Sequence, residues 1–205
     1  MDFKLVSLSC KKCGSGLVVS FNDFVTYCTS CGSGFEITDG EMHPVEINFA
    51  APAIRKGSKE NAELTYKPFW LVRTYINLYE RKAAGLMNKL FNKNEGFAQD
   101  VIFYIPAFYC SLESLKNISQ NFTMNNPFPS PQKYNTKLTG FAYGKEDAKK
   151  LVEFIFISFE AEKSDMLKEL KYKIDFKSFE IIGVPFYKIS DNAYKDAVMG
   201  IEIRV

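Results

Sequence analysis

Four of the five cysteines of this 205-residue chain fall between positions 10 and 31, as two Cys-x-x-Cys-Gly segments. Cys10 pairs with Cys13 and Cys28 with Cys31, with fourteen residues between the pairs. No other feature constrains the fold so tightly. A Cys-x-x-Cys turn presents two sulfurs on one side of a tight loop, and a second such turn on a neighbouring hairpin completes a tetrahedral ligand set. Gly14 and Gly32 follow the second cysteine of each pair. A residue there takes positive φ so that backbone N–H groups point at the sulfurs, and glycine does this without steric cost. A thioredoxin-type redox pair needs one Cys-x-x-Cys between a strand and a helix. Neither pair here is followed by a helical pattern, so metal binding is the expectation.

The two knuckles, "CKKCG" and "CTSCG" within residues 8–35, resemble the zinc-ribbon (rubredoxin-like) family, and the resemblance covers about a seventh of the chain. It implies one zinc ion held by Cys10, Cys13, Cys28 and Cys31. Iron in the same ligands, making a rubredoxin-like electron-transfer protein, is the alternative. An iron-bearing ribbon of this kind carries a longer spacer with core aromatics, whereas the spacer here holds Phe21, Phe24 and Tyr27. Four thiolates close the coordination shell, so the metal is expected to be structural; a catalytic zinc keeps one position open. Structural zinc supplies roughly 10–16 kcal/mol of apparent binding energy to such small modules.

The sequence divides into a zinc ribbon over 1–48, a linker over 49–63 rich in Ala, Pro, Gly and charge, and an α+β domain over 64–205. In the ribbon, "LVSLS", "GLVVSF", "FVTYC" and "GFEIT" alternate as short antiparallel strands, and "TDGE" is a tight turn. Beyond the linker, "LTYKPFWLVRTYINLYE" reads as a long strand. The spacing of Ala83, Leu86, Met87, Leu90 and Phe91 predicts a helix over 79–93. "VIFYIPAFY" reads as a buried strand and "SLESLKNISQNF" as a short helix capped by Ser111. A Pro/Asn/Gly-rich loop fills 125–144. A helical turn (145–150), a strand ("VEFIFISFE"), a helix (164–171) and three further strands complete the chain. Without a regular βαβ alternation, the fold class is α+β: a small N-terminal β ribbon followed by a mixed, largely antiparallel sheet with a few short helices. "KPFWLV", "IPAFY" and "VPFYKI" each set a proline beside aromatics, an echo that would fit two similar hairpins within the sheet.

Charge narrows the partners. Residues 1–50 carry three lysines against six carboxylates, residues 51–150 carry 15 basic and 8 acidic groups, and residues 151–205 carry 8 and 10. Adding Zn²⁺ and four thiolates makes the ribbon more acidic still, which disfavours phosphate contact through it. The reading is a non-catalytic interaction or assembly module working through protein contacts or as a homo-oligomer. The alternative is nucleic-acid binding through the basic 51–96 segment. Arg81, Lys82, Lys89 and Lys93 are the candidate partner-binding residues in either case. No catalytic constellation stands out, and the two isolated candidates are Cys110, before a helix start, and His43, the single histidine. No apolar run reaches the roughly 18–20 residues of a membrane span. The N-terminus lacks a signal-peptide layout, so a cytoplasmic location is expected.

Overall fold

The structure, a computed structural model, describes residues 9–19, 22–53, 63–83, 96–127, 136, 138, 140–163 and 167–205. It is α+β, and the described residues form a three-stranded sheet, a six-stranded sheet and two helices. The small sheet runs β1 (Val25–Tyr27), β2 (Gly34–Thr38) and β3 (Glu41–Val45), all antiparallel. Asp39 and Gly40 join the last two strands with φ of 53° and 75°. Positive φ at both central residues is the hairpin turn that an Asp-Gly pair favours.

Two long strands organise the rest. β5 (Leu64–Ala83) and β7 (Leu167–Ser190) pair antiparallel from Leu64↔Tyr187 to Ala83↔Leu167, with register shifts at Arg73/Thr74, Leu78/Glu80 and Lys82/Ala83. At roughly 3.3 Å per residue such a ladder exceeds 60 Å, and bulges let so long a ribbon twist. β6 (Phe97–Pro106) flanks β5 on one side. On the far side of β7 come the parallel β4 (Ile47–Phe49) and the antiparallel β8 (Ala193–Asp196), followed by β9 (Glu202–Arg204). The three proline-aromatic segments fall side by side on adjacent strands, with Pro68 opposite Gly183 and Phe69 opposite Pro106.

Alternation along β5 splits the core in two. Trp70, Val72, Ile76 and Leu78 meet Val152, Ile155 and Phe156 of α2 (Lys145–Glu162). Phe69 and Leu71 meet Ile118 and Phe122 of α1 (Leu112–Asn125). The buried Trp70 indole satisfies its N–H on the Tyr143 carbonyl at 2.8 Å. α1 starts as expected, with the Ser111 hydroxyl accepting from the Ser114 N–H at 3.1 Å. Among the described residues no helix is long and apolar enough to cross a membrane.

Three predicted elements are corrected. Residues 79–83 are strand: Glu80, Arg81 and Lys82 face Lys171, Leu170 and Glu169 across the ladder, so long-range pairing overrides a helical spacing. The remainder of that predicted helix, 84–95, lies outside the described residues. "VEFIFISFE" is helix, not strand, because a helix gathers Ala148, Val152, Ile155 and Phe156 on one buried face. Of the predicted helix 164–171, residues 167–171 are the start of β7.

The small sheet is fastened to the large one. Val25 and Tyr27 belong to the α2-side core, and the Tyr27 and Phe49 rings meet edge-on at 5.6 Å. Phe24 donates its N–H to the Phe141 carbonyl at 2.9 Å, and the Asp23 carboxylate accepts from the Phe141 N–H at 3.1 Å. Glu36 of β2 accepts the Lys145 N–H at 2.9 Å, capping α2 where its own N-cap, Gly144, has no side chain. This cap uses an orphan donor and places a carboxylate at the positive end of the helix. Replacing Glu36 by Ala should therefore cost about 1 kcal/mol of global stability in denaturant unfolding, and Glu36→Gln less.

Candidate metal centre

The two cysteine segments fold as copies of one turn. In the first, Ser9 and Gly16 form a bridge enclosing Cys10 and Cys13; in the second, Tyr27 and Gly34 pair around Cys28 and Cys31. Cys10 N–H donates to the Ser15 carbonyl and Gly14 N–H to the Cys10 carbonyl, at 2.8 and 2.9 Å. Cys28 and Gly32 repeat those bonds to Ser33 and Cys28, both at 2.8 Å. Gly14 and Gly32 have φ of 74° and 73°, the left-handed conformation expected of each.

The turns bring all four sulfurs together. Cys10 Sγ lies 3.6 Å from Cys31 Sγ, Cys13 Sγ lies 3.6 Å from Cys28 Sγ, and all four are within 4.8 Å of one another. A tetrahedron with metal–sulfur bonds of about 2.3 Å has sulfur–sulfur edges of about 3.8 Å, whereas a disulfide would bring two sulfurs to about 2.05 Å. The spacing fits a four-thiolate metal site, and all four cysteines are free of disulfides. Leu17, Phe35 and Met42 pack beside Cys10 and Cys28 to form a small core under the site.

Polar neighbours prepare the sulfurs. The Lys12 N–H points at Cys10 Sγ at 3.4 Å. The Ser15 and Ser33 hydroxyls stand 3.4 and 3.2 Å from Cys13 Sγ and Cys31 Sγ. Hydrogen bonds from Ser15 hold the Cys13 thiol down at about 6, and those from Ser33 lower Cys31. Burial instead pushes the Cys10 thiol up to about 11. Exposed Cys13 is thus readied as a thiolate, whereas buried Cys10 favours its protonated form until a metal replaces the proton. Lys11 sends its ammonium to the Met42 carbonyl at 2.9 Å, tying the first knuckle to β3. Sequence reasoning assigned the glycines but missed the serines, although "GSG" follows each cysteine pair and carried the signal.

The other predicted site residues are dispersed. Arg81 reaches the buried Glu160 near the end of α2, with Nε 3.2 Å from its carboxylate and Nη2 3.0 Å from its carbonyl. Lys82 bridges Glu80 and Glu169 at 2.9 and 2.6 Å. Lys89 and Lys93 lie outside the described residues. His43 is exposed on β3 opposite Glu36. Cys110 sits half-buried between both cores, where burial pushes its thiol up to about 11, away from the thiolate a nucleophile needs. Among the described residues no hydrogen bond joins Cys110 to His43.

Gly14→Ala and Gly32→Ala should each destabilise the metal-bound ribbon by about 1 kcal/mol in thermal unfolding, because alanine is strained at positive φ. A Cβ at Gly14 would meet no atom within 4 Å, so there the cost is conformational alone. Metal affinity should fall as the pH is lowered, and more steeply below about 6, where Cys13 too must surrender a proton to the metal. Chelator competition across that value measures the slope. Comparisons of this chain with family models, curated proteins and solved structures give no match, so the site is defined by its own geometry.

Proposed function

We propose that the protein holds one structural zinc ion in its N-terminal ribbon and serves as a non-catalytic interaction or assembly module acting through protein contacts. The observation that carries this reading is the ligand set. Four sulfurs within 4.8 Å of one another, two pairs of them at 3.6 Å, suit the closed shell of a zinc ion and would leave it no position for water or substrate. The ribbon would then be a folding device. Its own core is a handful of side chains, and the larger core borrows Val25 and Tyr27 from it. Four reduced thiolates suit a reducing compartment such as the cytoplasm.

The charge arrangement supports protein contacts over phosphate binding. Of the basic 51–96 segment, the described cations are Lys67, Arg73, Arg81 and Lys82. Arg73 pairs with Glu180 at 3.3 Å, Arg81 with Glu160 and Lys82 with Glu80 and Glu169. Lys67 sits between the rings of Phe108 and Tyr194, at 4.9 and 3.9 Å, and burial lowers its pKa. The carboxylates that pair with Arg73, Arg81 and Lys82 come from β5, β7 and α2. A cation already paired inside its own chain releases few counterions to a polyanion.

Metal analysis of freshly purified protein should find one zinc per chain in a colourless preparation; a red, redox-active protein would mean iron. Cys28→Ser should abolish stoichiometric zinc and expose residues 9–45 to limited proteolysis. Retention on heparin with a steep salt dependence would replace the protein-contact reading with nucleic-acid binding.

A further inference from the structure

β7 carries two partners on its outer side, but only over its second half. β4 occupies Ile181–Gly183 and β8 occupies Phe186–Ser190. From Leu167 to Glu180 no described strand pairs with that side, although β5 pairs throughout on the other. The opening ends where the Ile181 N–H donates to the Glu46 carbonyl at 2.8 Å. An edge of this length presents a row of unpaired backbone donors and acceptors.

We infer that this edge pairs with the same edge of a second copy, antiparallel about a two-fold axis at Lys173. The inference rests on the protein-contact reading above and names its partner. Three observations lead to this register. The first is length: an axis at Lys173 sets Leu167 opposite Phe179, keeping the pairing within the described open edge and stopping short of β4. The second is the apolar face. Leu170, Tyr172, Ile174 and Phe176 are half-buried against the α2-side core, and the axis pairs Leu170 with Phe176 and Tyr172 with Ile174. The half-buried row then continues across the joint instead of ending in water.

The third is charge. On the opposite face the axis sets Lys171 against Asp175 of the second copy and Glu169 against Lys177 of the second copy, each contact occurring twice. These contacts are shared with intrachain pairs: Lys171 also holds Glu80 and Glu169 of its own chain at 2.5 and 3.5 Å, and Lys177, the bulged residue, also holds Asp100 at 2.5 Å. Lys173 meets its own image, with Asp175 of the same chain 2.7 Å away to offset the repulsion. Lysines along an edge strand normally discourage pairing. Here they alternate with carboxylates so that one self-register is favoured. The join would run two six-stranded sheets into one, with an α2 helix from each copy on the same face.

Sedimentation equilibrium of the zinc-loaded full chain tests this. The wild type should dimerise with rising concentration. Lys171→Asp or Asp175→Lys should weaken the dimer by about tenfold or more, since each reversal places like charges opposite one another twice. The double swap Lys171→Asp/Asp175→Lys should restore it. Glu169→Lys, Lys177→Glu and their double form a second, independent swap, used if a member of the first alters circular dichroism or zinc content. A wild type that is monomeric at every concentration overturns the self-pairing; the protein-contact reading would then rest on a different co-purifying protein. A dimer indifferent to the single reversals, or one not recovered by the double swaps, overturns this edge while leaving protein contacts in place.

Discussion

The pairing of β5 with β7 is the interaction on which the rest of this molecule depends. Nearly every other element is defined by where it meets that ladder. β6 extends it on one side, β4 and β8 on the other, and the two helices lie over residues that alternate along β5. The two strands are far apart in sequence, so the ladder closes a long loop before any pair forms. Such non-local pairing is entropically expensive at the start and strongly cooperative afterwards. It also explains the ion pairs at its far end. Glu80, Lys82, Glu169 and Lys171 face one another there and hold the last rungs by cross-strand charge, while Arg81 between them reaches Glu160 of α2.

The ribbon is joined to this ladder by more than a linker. It contributes side chains to the main core, backbone bonds to the segment before α2, and a carboxylate to the start of that helix. β4, which follows directly on the ribbon, enters the large sheet beside β7 and lays the Phe49 ring against Gly183, where a Cβ would come within 2.5 Å of it. A side chain at Gly183 would push β4 away, so a small residue in one strand sets how closely the ribbon can approach.

What could be read from the sequence divides along physical lines. The cysteine turns were legible because their chemistry is local: spacing, glycine position and ligand geometry all lie within a few residues. Ser111 as a cap and Asp39-Gly40 as a turn were legible for the same reason. The failures were segments whose state is decided by distant partners. Residues 79–83 have helical spacing, yet they meet 167–171 across the ladder. "VEFIFISFE" has β-rich composition, yet Glu36 and the core below give it a helix. Arg81 and Lys82 looked like a surface for a partner because their neutralising carboxylates, Glu160 and Glu169, lie far along the chain.

The Glu36 cap has a thermodynamic consequence. Glu36 stands on β2, which begins three residues after Cys31, so a metal holding the second knuckle would also hold that carboxylate in place. Any ion the sulfurs take up binds the folded ribbon in preference to the unfolded one, and so stabilises it by mass action. Through Glu36, Val25 and Tyr27 the same free energy reaches the first turn of α2 and the core beneath it. The availability of the ion would thereby set the stability of a helix that never touches it.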